Sequence, residues 1–269
     1  MTKWITLLLV SLLYGIRELT PSFESLFYNH VAKDVPHYFL FIYDWKYERK
    51  NTKIWLAVEH DEIYGMMLIY KNRIVQLRGN EPIIEAFLDM IDLKMFQLHA
   101  ESQYRDFILR KCHMKKEYVL QLMIVRKGEE HLSSSDIVTK LTPEWADEIA
   151  YLMRTANPEF WDDRKKETIV SSMNRRLWMG IIMNGNTLVS VGSTHLTDFG
   201  SNIGSLATHE SYLNRGYATA VASALVKEIL HKNDFALVFV RKNNLPALGV
   251  YEKLGFKQYR NYLYGYAEI

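Results

Sequence analysis

Apolar residues at 218, 221, 222, 225, 226 and 229 fall three and four residues apart, and this spacing draws one continuous stripe along a helix. The next apolar block, Phe235 to Val240, is six residues without a polar interruption and follows an Asn233-Asp234 break, which predicts a strand buried on both faces. Upstream, Trp178 to Met183 and Leu188 to His195 flank Asn184-Gly185, a strong hairpin turn signal. A further strand is predicted over Ile203 to His209. From about residue 137 onward the order reads strand, helical region, hairpin, strand, helix, strand, helix, strand, which is the mixed order of an α/β domain.

The same order occurs earlier in the chain. Ile16-Arg17-Glu18-Leu19-Thr20-Pro21 is echoed by Val138-Thr139-Lys140-Leu141-Thr142-Pro143, each a short extended run that ends in a Thr-Pro helix start. The hairpin of the second copy has its counterpart in Ile54 to Val58 and Ile63 to Tyr70; Gly65 then matches Gly192, and Ile74 matches Ile203. This shared order predicts a tandem duplication, with domains at 1–127 and 137–269. The linker, 128–136, holds Gly128, two Glu and three consecutive Ser.

Composition narrows the chemistry. The chain has 269 residues, 48% of them hydrophobic, enough for two buried cores. Thirty-three basic and 31 acidic side chains leave a net charge of +2, so no general electrostatic pull toward nucleic acid or anionic membrane is expected. One cysteine, Cys112, excludes an intrachain disulfide framework and makes a reducing compartment, the cytoplasm, the expected location. The apolar run Ile5 to Leu13 is too short to span a bilayer and lacks a small-residue cleavage site, so an extra strand or helix is expected there. No His, Asp and Glu spacing suggests a metal site, and none is expected.

The candidate chemistry lies between the predicted strand at 203–209 and the stripe helix, at Tyr212-Leu213-Asn214-Arg215-Gly216-Tyr217-Ala218-Thr219. A strand, a glycine-containing turn and a helix start together make an anion site, because the helix's unpaired first-turn N–H groups and its dipole both favour a phosphate. Gly216 allows close approach or positive φ, Ala218 keeps the rim low, and Arg215 supplies a charged donor.

These residues resemble the GNAT superfamily of N-acetyltransferases. The family's Gln/Arg-x-x-Gly-x-Gly/Ala pattern falls on Leu213 to Ala218. Its later signature is matched by Asn244, Ala247, Tyr251, Gly255 and Phe256, with Tyr-Glu-Lys-Leu-Gly-Phe intact. The likeness covers about 136–269 well and the first copy in outline. It implies an α/β (α+β) protein of two tandem GNAT-like domains, each a mixed, largely antiparallel sheet flanked by helices.

The resemblance further implies an acetyl-coenzyme A-dependent N-acyltransferase acting by direct transfer to a primary amine, on a small molecule or a protein. Main-chain groups near Leu206 and Thr208 would pair with the pantetheine arm. The pyrophosphate would sit over Asn214, Arg215, Gly216, Tyr217, Ala218 and Thr219, while Asn244 would orient the coenzyme. Tyr251 would serve as general acid for the departing thiolate, and a backbone N–H near Leu206 would stabilise the oxyanion. Of the candidate bases His209, Glu210 and His195, His209 is preferred. Asn157 to Arg176 would form part of the acceptor pocket.

Two departures from the family pattern stand out: Leu213 replaces the leading Gln or Arg, and Glu210-Ser211 replaces the usual Pro-Glu. Rival expectations are a non-catalytic acyl-coenzyme A sensor or partner module, and transfer of a longer acyl group or acylation of an amino acid. Neither nucleic acid nor membrane is an expected partner, and a homodimer stays open. In the first copy, Leu77-Arg78-Gly79-Asn80-Glu81-Pro82 stands where the cradle would be and His113-Met114 replaces Gly-Phe, so a degenerate, non-catalytic domain is expected.

Overall fold

The computed structural model of the chain describes residues 14–161 and 166–268. The run Ile5 to Leu13 therefore lies outside the described residues, as do Asp162 to Lys165. The chain folds as two compact units, one built from residues up to Gln121 together with those from Arg260 onward, the other from Leu122–Tyr259.

In chain order the first unit carries β1 (Gly15–Glu18), α1 (Glu24–Val31), α2 (Val35–Tyr47), β2 (Thr52–Glu59), β3 (Glu62–Tyr70), β4 (Ile74–Arg78), α3 (Glu81–Met90), β5 (Met95–Glu101), α4 (Arg105–Leu109) and the start of β6 (His113–Arg126). The second carries the end of β6, then β7 (Thr139–Lys140), α5 (Ala146–Ala156), α6 (Pro158–Trp161), α7 (Lys166–Ser172), β8 (Leu177–Met183), β9 (Thr187–Thr194), β10 (Ser201–Thr208), α8 (Tyr217–Lys232), β11 (Phe235–Arg241) and α9 (Leu245–Lys253). The last strand, β12 (Lys257–Glu268), starts in the second unit and ends in the first.

Both sheets are mixed and largely antiparallel. In the first unit the order is β1-β2-β3-β4-β5-β12, and only β4 and β5 run parallel. In the second, β11, β10, β9, β8 and β7 follow one another, with β10 and β11 the parallel pair.

The internal repeat is visible in local geometry. Thr20 and Thr142 precede equivalent proline-started 3-10 turns with nearly the same backbone, φ −119°, ψ 172° and φ −113°, ψ 170°. Each hairpin turns on two left-handed residues, His60-Asp61 in one copy and Asn184-Gly185 in the other. Gly65 and Gly192 each let a helix lie close on the sheet. A Cβ at Gly65 would come 2.5 Å from Ile83 of α3, and one at Gly192 would come 2.9 Å from Val221 and Leu225 of α8.

The structural division differs from the limits 1–127 and 137–269: it falls between Gln121 and Leu122, and strand pairing returns the residues from Arg260 onward to the first unit. Tyr262 to Glu268 pair antiparallel with Glu101 to Met95, burying Tyr262, Leu263 and Ala267 in the first unit. Residues 128–136 are also anchored to the second unit: His131 N–H donates to Leu254 O (3.1 Å), while Ser133 exchanges hydrogen bonds with the Ser223 hydroxyl.

That anchoring explains the glycine of Tyr-Glu-Lys-Leu-Gly-Phe. Gly255 has φ +92°, and a Cβ there would lie 2.4 Å from Glu129 O, a backbone atom with little room to give. Gly255→Ala is therefore expected to destabilise the protein by about 2 kcal/mol or more, read as a lower midpoint in chemical denaturation; an unchanged midpoint would refute this account.

Candidate active site

The centre of the second unit is the place where two neighbouring strands part. β9 pairs with β10 from Ile203 to Thr208, but β11 meets β10 only at Ser201 and Asn202. Beyond Asn202 one edge of β10 has no strand beside it among the described residues. The register with β9 shifts between Ile203 and Ser205, so Gly204 forms a bulge at the point of separation. Asn202 Oδ1 and Ser205 Oγ, on either side of that bulge in sequence, are buried and have no hydrogen-bond partner among the described residues.

The free edge presents alternate residues. Ala207 O accepts from Ser190 Oγ (3.2 Å) and His209 N–H donates to Val189 O (2.8 Å), so these groups face β9. Strand alternation then turns the N–H and C=O groups of Leu206 and Thr208 toward the open side. The side chains of both are occupied elsewhere, Leu206 packing against the α8 core and Thr208 Oγ1 lying 2.9 Å from Ser190 Oγ.

β10 leads through a 3-10 turn at Glu210–Tyr212 into the start of α8. Asn214 and Gly216 both take left-handed backbone, φ +59° and +81°. Gly216 is the N-cap residue, with no side chain satisfying the helix's first N–H groups and open space where a Cβ would be. The amides of Tyr217, Ala218 and Thr219 therefore have no intrahelical partner, and the positive end of a sixteen-residue helix opens onto an exposed turn. Arg215 lies over the Tyr212 ring, its Cζ 5.2 Å from the centroid, and Leu213 is exposed.

Tyr251, on α9, is 4% exposed and packs edge-on against Phe256. Its hydroxyl makes no hydrogen bond among the described residues, and burial raises its pKa well above the usual phenol value. Asn244 caps the same helix, its Oδ1 accepting from Ala247 N–H (3.2 Å).

The two histidines are tied into the scaffold. Nδ1 of His209 accepts from Ser211 N–H (3.2 Å), which leaves the proton of the neutral ring on Nε2 and uses the lone pair that a base needs. His195 Nε2 accepts from Arg176 Nε (2.5 Å). Burial first, then the Arg176 charge, lowers the His195 pKa to about 3, opposed by a hydrogen bond with the Arg175 backbone.

Arg176 is the residue that sequence reasoning passed over inside the segment Asn157 to Arg176. Its guanidinium lies over the Gly204 bulge, Nη1 3.3 Å and Cζ 3.7 Å from where a Cβ would stand. It is held there by His195, by Ser193 Oγ (3.4 Å) and by its own N–H, which donates to Ser172 O (2.7 Å). Ser172 is in turn fixed by the buried Trp178, whose Nε1–H donates to Ser172 Oγ (3.0 Å). Among the described residues, no three His, Cys, Asp or Glu side chains cluster as metal ligands. No helix among them is long and apolar enough to cross a membrane.

In the first unit the same place is closed. β4 and β5 stay in register from Ile74↔Gln97 to Leu77↔Ala100, and α3 is capped by Asn80, whose Oδ1 accepts from Ile83 N–H (3.2 Å). Buried Arg78 lies over Phe41 and Tyr262 at 5.3 and 4.7 Å.

The FR47-like protein family model matches residues 179–264, and no curated protein matches by sequence. Among solved structures, a Drosophila protein is similar with a TM-score of 0.74 and 12% identity over 95% of this chain and 99% of its own. A GCN5-related N-acetyltransferase from Sphaerobacter thermophilus gives 0.63 and 11%, over 95% of each chain. A tandem GNAT protein from the clavulanic acid biosynthesis pathway gives 0.52 and 12%, over 81% of this chain and 82% of that one. At these identities the structures establish the fold. The chain thus has the fold of tandem GNAT proteins, and the family-model match and the sequence motifs that resemble that superfamily both fall in its C-terminal half.

The neutral His195 has a measurable consequence. Unfolded, it binds a proton below about pH 6.5; folded, it does so only near pH 3. Its contribution to stability is thus complete above pH 6.5 and is lost as pH falls toward 3. His195→Gln should lower proton uptake on unfolding in that window by about one proton, measured from the slope of unfolding free energy against pH; an unaltered slope would contradict the assignment.

Proposed function

We propose that the second unit transfers an acetyl group from acetyl-coenzyme A to a primary amine by direct attack. The observation that carries this reading is the continuous opening from the unpaired edge of β10 to the uncapped start of α8. An extended pantetheine arm fits that edge as an added strand, bonding to main-chain groups of Leu206 and Thr208. A pyrophosphate fits the turn from Asn214 to Thr219, where bulk is absent at Gly216 and dipole and amides favour an anion. The unsatisfied Ser205 and Asn202 side-chain oxygens suit a site completed by a polar ligand.

In the reaction the amine nitrogen attacks the thioester carbonyl, a C–N bond forms and the C–S bond breaks. A main-chain N–H on the free edge near Leu206 would hold the oxygen that gains charge, an effect of roughly 3 to 4 kcal/mol where single donors have been removed elsewhere. Tyr251 supplies the hydrogen bond to the departing sulfur; burial keeps it protonated and a weaker acid than an exposed phenol. The proton the amine loses balances the thiol that leaves. Because His209 and His195 are committed to Ser211 and Arg176, that proton passes to water in preference to either ring. Asn244 acts chiefly by capping α9 and so fixing Tyr251. The leading Gln or Arg replaced by Leu213 costs one side-chain contact to a cradle built mostly of backbone.

Calorimetric titration with acetyl-coenzyme A tests the site. Gly216→Glu should abolish binding while the protein stays folded. Tyr251→Phe should keep affinity within about twofold and lower kcat by roughly 10- to 1000-fold. Unchanged turnover in Tyr251→Phe would remove that residue from the chemistry, and no heat with the parent protein would overturn the reading.

A further inference from the structure

The acceptor side of the bulge carries a group that the transfer chemistry does not use. Arg176 is half-buried and lies flat over Gly204, where the glycine leaves room for a guanidinium and any side chain would press into it. Three contacts fix its direction: Nε to His195, Nη1 to Ser193 and its backbone to Ser172. His195 cannot compete for charge, since burial first and the Arg176 charge second keep its ring neutral.

A second observation points to the same place. Ser205 is 6% exposed, and its hydroxyl has no hydrogen-bond partner among the described residues. Ser205 stands directly opposite Ser193 in the β9–β10 register, and residues directly opposite across an antiparallel pair project to the same face. Since Ser193 Oγ meets Arg176, the unsatisfied Ser205 hydroxyl is on the face that Arg176 covers. A planar, fixed cation and a buried hydroxyl donor thus flank the bulge from which the free edge of β10 begins.

We infer that Arg176 and Ser205 form the recognition site for a carboxylate on the acceptor, so that the amine acylated here is one that also carries a carboxylate, as an amino acid does. This rests on the acetyl-transfer reading above. The guanidinium fork matches a carboxylate in two parallel hydrogen bonds, which fixes orientation as well as affinity. A carboxylate held beside Gly204 keeps the amine of the same molecule within a few bonds of the thioester, which the free edge would hold near Leu206. An amine without that group would bind by its nitrogen alone and sample many orientations.

Glycine, alanine and glutamate, each compared with its amide, test this in the full-length protein with acetyl-coenzyme A as donor. For at least one acid, kcat/KM is expected to exceed that of its amide by 100-fold or more, and Arg176→Gln should cut that preference at least tenfold through KM. Arg176→Lys, which keeps the charge but not the fork, should restore only part. Binding gives a readout independent of turnover: the acetylated product of the preferred acid should bind the parent by calorimetry and lose at least tenfold affinity in Arg176→Gln, with acetyl-coenzyme A affinity unchanged. Equal rates on acids and amides, or an unaltered KM in a folded Arg176→Gln protein, would overturn the carboxylate site alone. Absence of acetyl-coenzyme A binding by the parent would overturn the transfer reading and this one together.

Discussion

The second unit is organised by the separation of β10 from β11 after two residue pairs. A strand inside a sheet normally satisfies its backbone on both edges, and leaving one edge open in a protein interior is costly unless a ligand or water completes it. The separation is enforced from both ends. At its start the Gly204 bulge interrupts the regular pleat, and at its far end the left-handed Asn214 and Gly216 turn the chain into α8. Gly192 lets that helix sit low on β9, so its amide-bearing start is directed at the end of the open edge instead of being lifted above it. Each of these features is a local backbone event, and together they make one groove.

The first unit shows what the same topology becomes without them. Its parallel pair, β4 and β5, remains in register for four residue pairs. The strand ends at Arg78, and Asn80 caps α3 at once, using the amide that an anion would otherwise meet. Arg78 then turns inward, donating to Leu77 O (2.8 Å) beneath Tyr262, while His99 stacks on that ring at 4.4 Å. Burial drives the His99 pKa well down, so the cluster fills the space as neutral rings around one cation. A buried polar network of this kind fixes a unique packing.

Most of the architecture was legible in the sequence because it is local. The 218–229 stripe became α8, the apolar run from Phe235 became β11, and the Asn184-Gly185 signal became a left-handed hairpin turn. The Thr-Pro starts and paired glycines carried the duplication. The exchange of β12 into the first unit was not legible, since strand partners far apart in sequence leave no local mark. The uncapped helix start could be read from Gly216, whereas the bulge was missed although its signal was present: a glycine inside a run otherwise patterned as strand, at position 204. The histidines were chosen by residue type, and the contacts of His209 with Ser211 and of His195 with Arg176 leave no mark in the sequence.

The acceptor face was hardest to read for a related reason. Arg176 closes a turn after α7, Ser193 and His195 lie at the end of β9, and Ser205 belongs to β10. No pair among them has motif spacing, and each alone looks like an ordinary turn or strand residue. Their meeting depends on three longer-range constraints: the β9–β10 register, the bulge that shifts it, and the Trp178–Ser172 bond that sets the turn over the sheet. The opening from β10 to α8 is built from one continuous strand-turn-helix and can be seen in a line of sequence. The cluster of Arg176, Ser193, His195 and Ser205 is assembled from separate elements, so its parts can vary independently of the turn from Asn214 to Thr219.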